Sequence, residues 1–200
     1  MSAAADRLAR LDPAILADLR RRYAEPRRHY HTWAHIEALL RWFDLRADTL
    51  DDPDAVFLAI LFHDAVYDPR RTDNEAESAG LLTVTPLSGW SDQAVAKAVE
   101  MTLATARHQL PPGAGPEGDI AHFLDMDLSI LGSERPTFRA YDRAIRKEYR
   151  HVFLPLYGFA RRRILKGFLE RPRLYFTTWG REAFEAQARS NLGRIVGRRT

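Results

Sequence analysis

The stretch AVFLAILFHDAVYDP, residues 55–69, opens with eight uninterrupted apolar side chains and ends on an adjacent histidine and aspartate, His63-Asp64. Upstream, Asp52-Pro53 offers an N-cap acid followed by proline at the first helical position, where a missing N–H does no harm. An ionised Asp taken out of water costs several kcal/mol unless something compensates it. Either a surface turn relieves that cost, or a cation does. Side chains adjacent on a helix diverge by about 100°, so His63 and Asp64 can share one cation only in a crevice between this helix and its neighbours. That requirement points to a helical bundle.

The rest of the chain reads the same way. Apolar residues recur at three- and four-residue intervals throughout, and no strand pair stands out. Asp12-Pro13 repeats the start signal, and Ser91-Asp92 is another. We expect helices near 3–10, 13–24, 32–47, 53–66, 73–84, 91–108, 117–131, 135–150, 155–170 and 180–197. The clear loop is LPPGAGPEGD, residues 110–119, read as a flap or exposed connection. The expected fold class is all-α, a single domain spanning 1–200 with a C-terminal basic helix near 180–197 packed on the body.

Two hundred residues with 46% hydrophobic content suit one domain of ordinary size. The absence of cysteine excludes disulfides, thiolate metal sites and a cysteine nucleophile, so any metal must use His and carboxylate ligands. The N-terminal MSAAADRLARL carries charge where a signal peptide needs its apolar core, and the eight-residue run 55–62 is too short to cross a bilayer. The expectation is a soluble cytoplasmic protein without a membrane partner. The formal charge is +3, but residues 161–200 hold ten Arg and one Lys against three Glu, a local +8 that leaves −5 for residues 1–160. Phe184, Ala188, Leu192 and Ile195 recur at helical spacing there, so a docked amphipathic helix with a solvated basic face is preferred to a nucleic-acid site.

Possible metal ligands gather in three places: YHTWAH with His31 and His35, the His63-Asp64 pair, and LDMDLSILG with Asp125 and Asp127. Imidazoles and carboxylates on separate helices would suit Mn, Fe, Ni, Zn or Mg. Each piece also has a bland reading: His35 as a core histidine, His63-Asp64 as a helix terminus, Asp125 and Asp127 as acids near a helix N-terminus.

The order His35, His63-Asp64, Asp127 resembles the H…HD…D signature of the HD superfamily of metal-dependent phosphohydrolases. Further stretches, PRRHYHTWAH, FHDAVYDPRRTDNEAESA, ATARH, LDMDLSILG and EAQARSNL, resemble one small group within it, described as predicted metal-dependent HD-superfamily phosphohydrolases. The resemblance implies an all-helical fold of the HD-domain type, with one divalent ion at the bottom of a cleft. It also implies His35, His63, Asp64 and Asp127 as ligands, with Asp125 competing for the last place. No second adjacent His pair lies between His63 and Asp127, which favours one ion over the two of cyclic-nucleotide phosphodiesterases or di-iron oxygenases.

The chemistry such a site supports best is hydrolysis of a small phosphorylated molecule, such as a nucleotide or related phosphoester. Glu75 in DNEAES is the candidate general acid or base beside Asp64; Asn74 is a candidate for orienting water or substrate. Arg28 is the candidate phosphate clamp, with Arg70 and Arg71 competing, and His31 and His108 join the substrate-binding set. The alternative is a nucleotide or phosphate sensor that uses the same cleft with little turnover. A homo-oligomer is compatible with the sequence.

Overall fold

The computed structural model describes residues 2–197; residues 1 and 198–200 of the expected 1–200 domain lie outside it. Among the described residues the chain is all helix, with no strand. Nine helices run in order: α1 (Ala3–Arg10), α2 (Pro13–Tyr23), α3 (Trp33–Arg46), α4 (Pro53–Phe62), α5 (Asn74–Val84), α6 (Asp92–Ala104), α7 (Asp119–Asp127), α8 (Arg135–Glu148) and α9 (Leu154–Leu169). A last helix starts as α10 (Thr178–Gly180), passes through a π turn at Arg181–Glu185 and ends as α11 (Ala186–Val196).

Local chemistry sets the starts. Asp12 accepts from Ala14 N, Asp52 from Ala55 N and Ser91 from Ala94 N, so each expected N-cap satisfies a backbone donor. Three helices stop earlier than their apolar patterns suggest. α4 ends at Phe62 rather than near 66, α6 at Ala104 rather than near 108, and α7 at Asp127, passing into a 3-10 segment, Leu128–Gly132.

α4 is the axis of the fold. All eight side chains of 55–62 are buried, so the helix must be surrounded. α3, α5, α6 and α7 pack around it. One apolar cluster is built from α1–α7, and a second joins Leu128, Leu131, Phe138, Leu165, Tyr175, Phe184 and Leu192 from the C-terminal half. Trp42 and Trp179 pack against both clusters. The C-terminal helix docks by Phe184, Ala188 and Leu192, all buried. Its arginines are largely consumed internally: Arg189 binds Glu185 and the carbonyls of Leu169, Arg171 and Pro172, and Arg181 binds the Phe176 carbonyl. No helix among the described residues is long and apolar enough to cross a membrane.

Candidate metal centre and its cleft

The carbonyls at the C-terminus of α4 have no helical partners and must find others. Tyr23 donates its hydroxyl to Leu61 O at 2.9 Å, and Arg28 donates to Asp64 O at 2.6 Å and Ala65 O at 3.0 Å. These bonds hold the turn after Phe62 so that His63 and Asp64 face the same crevice. Ser78 on α5 completes the turn, accepting from Val66 N and donating to Val66 O.

His35 from the first turn of α3, His63 and Asp64 from the end of α4, and Asp127 from the end of α7 meet in that crevice. His35 Nε2 lies 3.3 Å from His63 Nε2 and 3.2 Å from Asp127 Oδ1. His63 Nε2 lies 3.1 Å from Asp64 Oδ2 and 3.6 Å from Asp127 Oδ1, and His35 Nε2 is 3.8 Å from Asp64 Oδ2. His63 Nδ1 donates to Ile60 O at 3.0 Å, which fixes the ring and turns Nε2 toward the crevice, where it would be the nitrogen free to ligate an ion once deprotonated. Ligands about 2.1 Å from one ion sit about 3.0–3.4 Å apart in octahedral or tetrahedral arrangement, and most of the observed separations fall near that span. His35, His63 and Asp64 bring one ligand atom each within 4.8 Å of one another and so fit a divalent cation, with Asp127 Oδ1 beside both imidazoles as a further donor.

The electrostatics agree with a cation-seeking site. Burial works against the His63 imidazolium, but Asp64 and Asp127 outweigh it and hold the ring well above its ordinary pKa. Burial likewise opposes ionised Asp64 and Asp127. The neighbouring histidines nonetheless keep both carboxyls below the usual range, His63 and His31 acting on Asp64, and His108, His35 and His63 on Asp127.

The choice between the two aspartates falls to Asp127. Asp125 is fully buried on the opposite side of α7, where it accepts from Phe176 N, Thr177 N and Thr177 Oγ1 at 2.7–2.8 Å. It anchors the start of α10, and a Cβ on Gly180 would collide with its carboxylate. Burial pushes Asp125 up to about 6 despite these donors.

A cavity of about 230 Å³ opens over the cluster, and Glu75, His31 and His108 line it with His63, Asp64 and Asp127. His108 Nε2 meets Asp127 Oδ2 at 2.8 Å, so it orients a carboxylate of the cluster. His31 Nδ1 lies 2.8 Å from Glu148 Oε2. Burial alone would lower His31, but Asp64 and Glu148 raise it.

Two expected roles are corrected. Arg28 does not face the cleft as a phosphate clamp: its guanidinium is buried and used up on the carbonyls of His31, Asp64 and Ala65. Asn74 does not orient substrate: its amide accepts from Asp68 N and donates to Asp68 O, both at 2.9 Å, bracing the loop before α5. The competing Arg71 is exposed and paired with Asp73 and Glu77.

Two residues in this region carried no sequence signal. Glu148, at the end of α8, is buried and gathers the backbone N–H groups of His29, Tyr30 and His31 at 2.7–3.1 Å, the His31 ring and the Tyr67 hydroxyl. Burial would raise its carboxyl, yet His31 and these N–H groups bring it down to about 2. Arg161, on α9, lines the cavity together with His63, Asp64 and Asp127. Neither position belongs to a motif, and both are distinguished only by the packing of α8 and α9 over the cleft.

No family model matches the chain, and no curated protein or solved structure matches it.

Proposed function

We propose that the cleft binds one divalent cation through His35, His63, Asp64 and Asp127 and hydrolyses a phosphoester of a small molecule, as the H…HD…D resemblance implies. The observation that carries this reading is that His35 Nε2 and His63 Nε2 lie 3.3 Å apart and each lies 3.1–3.8 Å from one oxygen of Asp64 and one of Asp127, four side chains brought from three helices into one crevice. Mn, Fe, Ni, Zn and Mg all accept such N and O donors. An ion held there supplies positive charge against the phosphoryl oxygens and acidifies the attacking water.

The chain's own groups do the rest. Glu75, in the cavity wall, takes the proton of the water that attacks phosphorus. His31, whose Nδ1 is held by Glu148, has its other nitrogen for the substrate and gives its proton to the leaving oxygen as the ester P–O bond breaks. His108 keeps Asp127 ionised and oriented.

The test is Glu75→Gln in metal-loaded protein against a panel of phosphoesters. Turnover should drop at least 100-fold, within the range that proton transfer contributes, while metal content stays unchanged. Undiminished turnover removes Glu75 from the chemistry. A wild-type protein that binds phosphoesters in this cleft without turning them over favours the sensor alternative.

A further inference from the structure

We propose that Arg161 is the anion-binding group of this cleft and that it fits the pocket to a substrate with one phosphoryl group rather than an oligophosphate; this rests on the hydrolytic reading above. Arg161 rises from the middle of α9 into the wall of the cavity that contains His63, Asp64 and Asp127. Its side chain is 12% exposed, and its position is fixed from two sides: Nε donates to Asp142 Oδ1 at 3.2 Å, and Cζ lies 5.2 Å over the Tyr141 ring. One terminal nitrogen, Nη2, is buried and has no hydrogen-bond partner.

A buried guanidinium N–H without an acceptor is unfavourable unless something fills its place, and the group it matches best is a planar pair of oxygens on phosphate or carboxylate. The anchoring by Asp142 and Tyr141 means the side chain need not be ordered when a ligand arrives. The three carboxylates that line the same cavity, Glu75, Asp64 and Asp127, oppose any anion on their own. Arg161 can therefore hold a phosphoryl group only together with a cation at the cluster, which places the anion between the two.

Charge and volume both limit the ligand. Arg161 is the one Arg or Lys among the described residues that line this cavity, so a second phosphoryl group would meet no second guanidinium or ammonium there. The cavity, at about 230 Å³, is smaller than the roughly 300–1,000 Å³ that drug-sized ligands occupy. A short phosphomonoester fits these limits, and an extended di- or triphosphate does not.

The experiment uses full-length protein loaded with Mn and titrated with inorganic phosphate by calorimetry, with metal content measured on the same samples. Arg161→Met keeps the apolar stem over Tyr141 but has no donor, and Arg161→Lys keeps a charge. The expected result is unchanged metal content in both, phosphate affinity at least tenfold weaker in Arg161→Met, partial recovery in Arg161→Lys, and pyrophosphate binding no tighter than phosphate in wild type. Equal phosphate affinity in wild type and Arg161→Met, or pyrophosphate bound tenfold tighter than phosphate, overturns the subsite and leaves the metal reading standing. A wild-type protein that takes up no metal overturns both. If Arg161→Met fails to fold by circular dichroism, Arg161→Lys decides: phosphate affinity equal to wild type overturns the proposal, and a several-fold loss supports it.

Discussion

His108 has a backbone φ of 45°, the left-handed region that a β-carbon disfavours. It is held there by Arg171, which donates to the carbonyls of both His108 and Arg107 at 2.7 and 2.9 Å. Strain of this kind persists where surrounding bonds over-determine it, and here it carries Nε2 to Asp127. Asn tolerates the left-handed region about as well as His, so His108→Asn isolates the loss of the ring. It should weaken metal binding 10–100-fold, the usual effect of removing a group that orients a ligand, as read by metal titration. Unchanged affinity would reduce His108 to a turn residue. The ATARH stretch that suggested His108 says nothing of this conformation. Similarly, Arg28 and Arg161 are two of 27 arginines, and local sequence cannot say that the first is spent on helix-end carbonyls and the second faces the cleft. That difference arises from where α4 and α9 lie in space.

At the scale of elements, Glu148 ties the end of α8 to the turn that launches α3. A buried carboxylate that accepts three N–H groups fixes residues 29–31, and with them the first turn on which His35 stands. Its pKa is depressed from 4.5 to about 2, so its stabilisation is present above pH 4.5 and is lost as pH falls from 4.5 towards 2. The depression corresponds to at most about 3 kcal/mol, shared with His31. Glu148→Gln should therefore be destabilised at pH 7, and its gap from wild type in denaturant melts should close as pH falls through that window. A pH-independent gap would contradict the assigned ionisation. Helix starts were legible because Asp12-Pro13, Asp52-Pro53 and Ser91-Asp92 announce themselves locally. Helix ends were not: where α4 stops, Tyr23 takes the Leu61 carbonyl and Arg28 takes those of Asp64 and Ala65 in the turn that follows, both partners remote in sequence.

For the whole molecule, the decisive fact is that residues 35, 63–64 and 127 converge although long stretches of chain separate them. The all-α class followed from periodicity alone. The local conflict, a carboxylate at the end of an apolar helix, asked only for a surface turn or a cation; that these four residues would meet was an expectation drawn from the H…HD…D resemblance. The helices packed around α4 carry the cluster, and Tyr141 and Ile145 on α8 with Arg161 on α9 line the cavity over it. The central claim is one cation at the four-residue cluster. The most direct measurement is elemental analysis of full-length protein, purified without chelators or a nickel column, beside His63→Ala and Asp64→Ala. The account predicts about one divalent ion per wild-type chain and loss of most of it in both variants, with their helical circular dichroism intact. Folded variants that retain the wild-type metal content would contradict it.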